Sequence, residues 1–241
     1  MKDTQAKIDG AQPVRAFILC GGLGTRLRPV LSDRPKSMAL IAGIPFLQLL
    51  LRGLKAQGVE EVVLGTGYRA KQIEEYFGTG AELGLLLFYS REGEPLGTGG
   101  ALKLAEPLLG DPIVVLNGDS YVEWNLGEMN ELSQRKTADI VMILQAVPDV
   151  SRYGSVSIDA EGRVIEFIEK GARTGPGLIN AGVYLLSKKV VTVLPAGRAV
   201  SLEREVFPNF LGKNFYGLVS RGTFIDIGIP ADLERAQTLL R

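Results

Sequence analysis

The sequence predicts an α/β fold in which a parallel sheet has helices on both faces. Short apolar runs alternate with segments of helical apolar spacing over the first half of the 241-residue chain. A helical crossover makes successive strands parallel. Sheets of this kind bind their ligands at the carboxyl ends of the strands. Glycine-rich or acidic turns follow several of the apolar runs, so we expect the functional site at that edge.

The elements of the first half follow one another in a regular order. Strand-like runs occupy residues 16–20, 61–65, 85–89 and 112–116. Helix-like segments occupy residues 45–57, 70–77 and 99–109. Pro45 suits the first turn of the first helix, and Gly58 suits its end.

The pattern changes after residue 138, where strands predominate. Strands are predicted at residues 140–146, 155–159, 163–168, 178–186 and 216–219, and a closing amphipathic helix at residues 230–240. The chain contains no linker, repeat or low-complexity block. We therefore expect one domain over residues 13–241, after a disordered extension at residues 1–12.

The first strand ends in a glycine-rich stretch, LCGGLGTRLRP at residues 19–29. Glycines let the backbone approach a ligand and direct successive N–H groups at phosphate oxygens. Arg26 and Lys36 follow, and a forked guanidinium with a mobile ammonium suits a polyphosphate. A glycine turn alone is weak evidence for phosphate binding. The stretch lacks the third glycine of the dinucleotide fingerprint, and the chain has no GxxxxGK[ST] motif, so a dinucleotide-binding site and a P-loop are both disfavoured.

Composition excludes several classes of protein. The 27 basic and 27 acidic residues balance, which argues against nucleic acid or an anionic membrane as the partner. The absence of histidine excludes Ser-His-Asp triads, Cys-His pairs and HExxH zinc sites. The single cysteine, Cys20, excludes an internal disulfide and is expected to be a small buried hydrophobe. With no apolar stretch of membrane-spanning length and a polar start, we expect a cytoplasmic protein.

Two aspartates are candidates for a metal site. Asp119 follows an apolar strand at NGD, residues 117–119, and Asp226 lies in the apolar segment FIDIG. Mg²⁺ prefers one or two carboxylates together with phosphate oxygens and water. The pair therefore predicts a Mg²⁺ site beside the glycine turn, although either aspartate alone could serve as a turn or cap residue.

These motifs resemble those of the sugar-1-phosphate nucleotidyltransferase family. The matching segments are GGLGTRLRP (21–29), PKSM (35–38), LGTGGA (96–101), NGD (117–119), YG (153–154), EK (169–170), NAGVY (180–184) and DIG (226–228). The resemblance covers the chain from Val14 to Leu240. It implies a Rossmann-like three-layer fold with a mixed, mostly parallel sheet and no C-terminal β-helix. It also implies transfer of a nucleotidyl group from an NTP to a sugar 1-phosphate with release of pyrophosphate.

The same resemblance implies roles for individual residues. A nucleotide-binding half would cover about residues 13–137, and a sugar-binding half about residues 138–241. Arg26, Lys36 and Asp119 would be catalytic, and Asp119 and Asp226 would hold Mg²⁺. The nucleotide would contact Cys20, Gly21, Gly22, Gly24, Thr25, Arg26, Glu92, Gly97, Thr98 and Gly118. The sugar phosphate would contact Gly154, Glu169, Lys170, Asn180, Tyr184 and Glu203.

Two finer predictions concern which nucleotide base and which sugar 1-phosphate the protein uses. Glu92 favours guanine, because a carboxylate can accept the adjacent N1–H and N2–H₂ donors, so GTP is the expected nucleotide. Recognition of the base by backbone groups is the alternative. Segments 152–156, 177–182, 201–205 and 224–230 most resemble family members that act on D-glycero-α-D-manno-heptose 1-phosphate. Glu203 or Glu205 would then accept a hydrogen bond from the additional hydroxyl of the heptose.

Three other functions remain open from the sequence. Mannose 1-phosphate could be the acceptor, or the chain could be a uridylyltransferase acting on an amino sugar 1-phosphate. A nucleotide-sugar-binding regulatory subunit is disfavoured, because the chain keeps Arg26, Lys36, Asp119 and Asp226. The sequence does not decide whether the protein forms a homo-oligomer.

Overall fold

The structure is a computed structural model that describes residues 14–22, 24–27, 30–31, 33–168 and 170–240. The predicted extension at residues 1–12 lies outside the described residues, and so does Glu169. The side chain of Thr25 is also outside what is described.

The predicted strands form in the predicted order with small shifts of their bounds, and further short strands that were not predicted form as well. The strands are β1 (Arg15–Leu19), β2 (Leu40–Ile41), β3 (Ile44–Pro45), β4 (Glu61–Thr66), β5 (Leu86–Arg91), β6 (Ile113–Asn117), β7 (Ser120–Val122), β8 (Ile140–Val147), β9 (Ser155–Ile158), β10 (Val164–Ile168), β11 (Gly177–Leu186), β12 (Phe215–Ser220) and β13 (Phe224–Asp226). Within the described residues, nine strands form one sheet in the order β10-β9-β11-β6-β1-β4-β5, and β8 pairs with β11 and β12. Two short antiparallel pairs, β2 with β3 and β7 with β13, complete the set.

The sheet is mixed, as expected. β1 pairs in parallel with β4 and β6, and β4 pairs in parallel with β5. β11 runs antiparallel to β6, β8 and β9, whereas β12 is parallel to β8. The pairing of β6 with β11 joins the strands of the first half to those of the second in one continuous sheet.

The helices are α1 (Phe46–Ala56), α2 (Ala70–Phe77), α3 (Gly97–Leu104), α4 (Leu126–Lys136), α5 (Lys188–Thr192) and α6 (Pro230–Leu239). The bounds of α2 are those predicted. α3 is shorter than the predicted helix at 99–109, because Pro107 enters a separate 3₁₀ turn over Glu106–Leu108. α4 was not predicted, although Asn125 caps it by accepting a hydrogen bond from the backbone N–H of Glu128.

Two apolar layers separate the sheet from its helices. In β1, Ala16 and Ile18 belong to one layer and Phe17 belongs to the other, and all three are fully buried. The first layer takes apolar residues of α1, α2, α4 and α6, and the second takes those of α3 and α5. Helices therefore cover both faces of the sheet, which confirms the three-layer fold.

The strand ends bring the predicted site together. β1 and β6 lie side by side with Leu19 opposite Asn117, so the glycine turn and the NGD segment leave the same edge of the sheet. β13 pairs with β7 so that Asp226 lies opposite Ser120. The backbone N–H of Ile227 also donates to the carbonyl oxygen of Asp119 at 2.9 Å.

Among the described helices, none combines the length and the apolar composition needed to cross a membrane.

Candidate active site

Two adjoining cavities open at this edge of the sheet. The first has a volume of about 370 Å³ and the second about 400 Å³. Gly97, Thr98, Asn117 and Asp119 line both cavities, so these four residues form the boundary between them. Two ligands bound in these cavities would meet beside Asp119.

The first cavity collects most of the residues predicted to bind the nucleotide. Its lining includes Cys20, Gly21, Gly22, Gly24, Arg26, Lys36, Glu92, Gly97, Thr98, Gly118 and Asp119. Ser37, Pro95 and Gly228 line it as well and were not predicted as site residues. Gly228 comes from far along the chain, since it follows β13.

Lys36 lies between the two predicted metal ligands. Its Nζ donates to Oδ2 of Asp119 at 2.6 Å and lies 3.7 Å from Oδ1 of Asp226. Only 11% of the Lys36 side chain is exposed, whereas 39% of the Asp119 side chain faces the open cavity. One ammonium group therefore neutralises part of the charge of both carboxylates.

The two aspartates have pKa values that move in opposite directions. Burial acts to raise the pKa of Asp119, but the charges of Lys36, Lys170 and Arg26 outweigh burial and hold the pKa below its usual value. Burial and the negative charge of Asp119 raise the pKa of Asp226, against the charge of Lys36. The site therefore holds an ionised Asp119 beside a more basic Asp226.

Gly228 allows these groups to come together. Its backbone N–H donates to Oδ1 of Asp226 at 2.6 Å. A Cβ atom on Gly228 would lie 2.7 Å from that oxygen, 3.3 Å from Nζ of Lys36 and 3.4 Å from Nη2 of Arg26. A side chain at this position would therefore displace the Asp226 carboxylate, and with it the contacts among these charged groups.

Cys20 is a small buried residue, as the sequence predicts. The residue is 4% exposed, and burial raises the pKa of its thiol to about 12. The thiol is thus neutral near pH 7 and is not a nucleophile.

Glu92 makes a defined contact in the first cavity. Its Oε2 accepts a hydrogen bond from the backbone N–H of Leu96 at 2.8 Å, and a Cβ atom on Gly21 would lie 2.3 Å from its Oε1. Burial raises the pKa of Glu92. The carboxylate therefore both holds the loop before α3 and faces the predicted base side of the cavity.

The second cavity collects most of the residues predicted to bind the sugar phosphate. Gly154, Lys170, Asn180 and Glu203 line it, together with Asp119 and Asp226. Sequence reasoning missed Ser120, Phe167, Gly182, Ser201, Arg204 and the ring pair of Tyr153 and Phe224, whose centroids lie 5.7 Å apart. Tyr153 belongs to the matched motif YG, which was the available signal, whereas no matched motif includes Arg204.

The prediction that Tyr184 lines the sugar site is wrong. Its ring is fully buried and packs against Phe207 with centroids 5.1 Å apart. The physical reason is that Tyr184 lies further along β11 than Asn180, where the apolar layer that includes Phe207 and Leu186 encloses its ring. Its hydroxyl oxygen accepts a hydrogen bond from Nδ2 of Asn180 at 2.8 Å, so Tyr184 supports a cavity residue from behind.

Glu203 and Glu205 differ in their surroundings. Oε2 of Glu203 accepts hydrogen bonds from Oγ1 of Thr98 and Oγ of Ser201, and the side chain lines the second cavity. Glu205 instead accepts a hydrogen bond from the backbone N–H of Ser201 and pairs with Arg198, away from that cavity. Of the two carboxylates, only Glu203 is positioned to contact a ligand there.

Comparison with known proteins agrees with this geometry. A family model described as nucleotidyl transferase matches residues 15–241. The chain belongs to this nucleotidyl transferase family. The expected family resemblance is confirmed, and the protein is a nucleotidyltransferase.

Individual relatives are similar over nearly the whole chain. It is 42% identical to a D-glycero-alpha-D-manno-heptose 1-phosphate guanylyltransferase of Aneurinibacillus thermoaerophilus, over 95% of this chain and 99% of that protein. It is 41% identical, over 92% of its length, to a mannose-1-phosphate guanylyltransferase of Mycobacterium tuberculosis, and spans 63% of that longer protein. The crystal structure of HddC from Yersinia pseudotuberculosis complexed with GMP-PN matches with a TM-score of 0.84 and 39% identity, over 95% of this chain and 100% of that one.

Replacing Gly228 with alanine tests the close approach in this site. We expect Gly228→Ala to lower kcat/KM for nucleotidyl transfer by about tenfold or more, since small displacements of catalytic groups are costly. Gly53→Ala is the matched control, because a Cβ atom there meets nothing within 4 Å and alanine suits the interior of α1. Pyrophosphate release and thermal unfolding of both variants provide the measurement. Full activity in Gly228→Ala would show that the charged groups tolerate displacement.

Proposed function

We propose that the protein transfers a guanylyl group from GTP to D-glycero-α-D-manno-heptose 1-phosphate, giving GDP-heptose and pyrophosphate. The observation that carries this proposal is the meeting of two cavities at Asp119, one lined by glycines and cations and the other by polar and aromatic side chains. A phosphate oxygen of the sugar phosphate attacks the α-phosphorus of GTP, and the bond to the β-phosphate oxygen breaks. Pyrophosphate leaves with the bonding electrons.

The charged side chains explain how the chain could promote this reaction. Nucleotidyl transfer needs in-line positioning and charge stabilisation more than proton transfer, so a site without histidine is sufficient. Arg26 lies in the first cavity and would bind the β- and γ-phosphates. Lys36 lines the first cavity and contacts Asp119 at its boundary with the second, so it would stabilise the negative charge that develops around the α-phosphate. Lys170 lines the second cavity and would bind the phosphate of the sugar.

A divalent cation is consistent with the two aspartates. No group of three or more His, Cys, Asp or Glu side chains that could hold a metal occurs among the described residues. Mg²⁺ nevertheless needs only one or two carboxylates when phosphate oxygens and water complete its shell. Asp119 and Asp226 already share one cation, the ammonium of Lys36, so their chemistry fits Mg²⁺. When bound, Mg²⁺ would offset the negative charge of the phosphates.

Two observations support guanine as the base. Glu92 lies in the first cavity, and each of its carboxylate oxygens can accept more than one hydrogen bond, so the contact with Leu96 leaves capacity for guanine N–H donors. The relatives from Aneurinibacillus and Mycobacterium are both described as guanylyltransferases. In the alternative, Glu92 only holds its loop and backbone groups recognise the base.

Two observations also favour heptose over mannose. The relative from Aneurinibacillus, which is 42% identical to this chain, is described as a D-glycero-alpha-D-manno-heptose 1-phosphate guanylyltransferase. Glu203 lines the second cavity and can accept a hydrogen bond from a side-chain hydroxyl that mannose lacks. Mannose 1-phosphate stays the second candidate because the two relatives are almost equally identical to this chain.

A substrate screen tests the proposed function directly. Pyrophosphate release is measured for four NTPs against D-glycero-α-D-manno-heptose, mannose, glucose and N-acetylglucosamine 1-phosphates. We expect GTP with the heptose phosphate to give the highest kcat/KM, about ten- to a hundredfold above mannose 1-phosphate, because mannose would leave the half-buried Glu203 carboxylate without its hydroxyl partner. Equal values for the two sugars would reduce the assignment to a guanylyltransferase of broader sugar range. A preference for UTP with the amino sugar would favour the uridylyltransferase instead.

Replacing each aspartate with asparagine tests the cation site. We expect Asp119→Asn and Asp226→Asn each to remove most Mg²⁺-dependent turnover while the fold persists, because an amide keeps the volume and loses the charge. The Mg²⁺ concentration for half-maximal rate and the circular dichroism spectrum are measured together. Asp159→Asn, in the turn between β9 and β10, is the control and should behave as wild type. Near wild-type Mg²⁺ dependence in either site variant would reject the pair as the metal ligands.

Replacing Glu92 with glutamine decides between the two modes of base recognition. We expect Glu92→Gln to lower the preference for GTP over UTP by about tenfold, since a charged acceptor contributes on the order of 1–3 kcal/mol. Glu94→Gln is the control, because Glu94 is exposed in the same loop. Selectivity is measured as the ratio of kcat/KM for the two nucleotides. An unchanged ratio in Glu92→Gln would return base recognition to the backbone.

A further inference from the structure

Thr98 connects the two cavities through its hydroxyl group. The residue lies in the first turn of α3 and lines both cavities. Its Oγ1 donates a hydrogen bond to Oε2 of Glu203 at 2.8 Å and accepts one from the backbone N–H of Leu202 at 2.8 Å. Because a hydroxyl has a single hydrogen, this arrangement directs that hydrogen at Glu203 and not at a nucleotide in the first cavity.

Glu203 is held asymmetrically as a result. Oε2 receives both the hydrogen of Thr98 and that of Ser201, whose Oγ lies 2.9 Å away. Oε1 takes no hydrogen bond or ion pair from any described residue, although Glu203 lines the second cavity. One carboxylate oxygen is thus fixed by the protein, and the other is left for a hydroxyl donor.

The backbone beneath this contact is docked closely. The carbonyl oxygen of Val200 accepts from the N–H groups of Gly99 at 2.8 Å and Gly100 at 3.3 Å, and the N–H of Val200 donates to Leu96 at 2.8 Å. Gly97 adopts φ of +68°, and a Cβ atom there would lie 2.6 Å from the carbonyl oxygen of Val200. These contacts fix the distance between the start of α3 and the segment that carries Glu203. The hydrogen bond from Thr98 to Glu203 adds a side-chain contact to the same pair of segments.

We propose that Thr98 is a positioning residue for the sugar phosphate, which acts by fixing Glu203 so that its free oxygen accepts a hydroxyl of the sugar. This inference rests on the proposed function, and it assigns Thr98 to the recognition of the sugar although the residue also borders the nucleotide cavity. A carboxylate held by two donors at one oxygen loses little side-chain entropy when its other oxygen binds a ligand.

Variants of Thr98 test the proposal through separate Michaelis constants. KM for the sugar 1-phosphate that the wild type uses best is measured at saturating GTP, and KM for GTP at saturating sugar phosphate. We expect Thr98→Val to raise the KM of the sugar phosphate by about tenfold, the range for a lost hydrogen bond to a charged group, and the KM of GTP by less than about twofold. Thr98→Ser keeps the hydroxyl and should stay close to wild type.

The chain offers a matched control for the threonine-to-valine change. Thr66 is fully buried, its Oγ1 has no hydrogen-bond partner among the residues that the structure describes, and it lines neither cavity. Thr66→Val should therefore leave both Michaelis constants unchanged. If Thr98→Val does not fold, Thr98→Ser and Thr98→Ala make the same comparison, because they differ only in the hydroxyl.

A double-mutant cycle with Glu203 shows whether Thr98 acts through that residue. Adding Thr98→Val to Glu203→Ala should cause no further rise in the KM of the sugar phosphate. Additive effects, or a rise confined to the KM of GTP, would overturn the proposal. An active wild type whose sugar KM does not respond to Thr98→Val would reject this inference alone. A wild type that releases no pyrophosphate with any sugar 1-phosphate would reject the proposed function instead.

Discussion

The ion contacts of Lys36 are the constraint around which the site is arranged. The Lys36 side chain is only 11% exposed, and a largely buried ammonium group needs opposite charges beside it. Asp119 and Asp226 supply those charges. The three residues come from segments far apart in the chain, so their meeting requires the 3₁₀ turn at Lys36–Met38, the end of β6 and the end of β13 to converge. Arg26 and Lys170 add further positive charge, so among the described residues three cations act on Asp119 and Asp226. That excess favours a polyphosphate, whose negative charge would complete the balance.

The sheet order explains how these segments converge. The parallel pairing of β1 with β6 puts two loops at one edge, as in other parallel sheets. β13 arrives at the same edge by a different route, through an antiparallel pair with β7 outside the main sheet. Asp226 thus enters the site from a two-stranded antiparallel pair, and Gly228 leaves space for its carboxylate. The meeting of Asp119 and Asp226 therefore depends on both the parallel and the antiparallel parts of the fold.

The sequence predicted the first cavity better than the second, for a physical reason. Residues of the first cavity follow strand ends in short loops, so their place in the chain determines their place in space. The second cavity is lined from β11 and from the segment after Val200, where side-chain direction depends on tertiary packing. Tyr184 shows this dependence, since Phe207, from a segment distant in the sequence, packs against its ring and helps to bury it in the core. The bond between Thr98 and Glu203 spans 105 positions in the sequence and no local pattern indicates it.

The segment Leu202–Val206 shows how a local departure from α-helical geometry builds the second cavity. It forms a π-helical turn, a geometry that is rare and occurs frequently at functional sites. Leu202 and Val206 are buried in the layer beneath, whereas Glu203 and Arg204 both line the cavity. Ser201 begins the turn by accepting a hydrogen bond from the N–H of Arg204, and the same hydroxyl donates to Glu203. The hydroxyl of Ser201 therefore both caps the turn and contacts the carboxylate of Glu203, so the shape of the second cavity depends on how this turn begins.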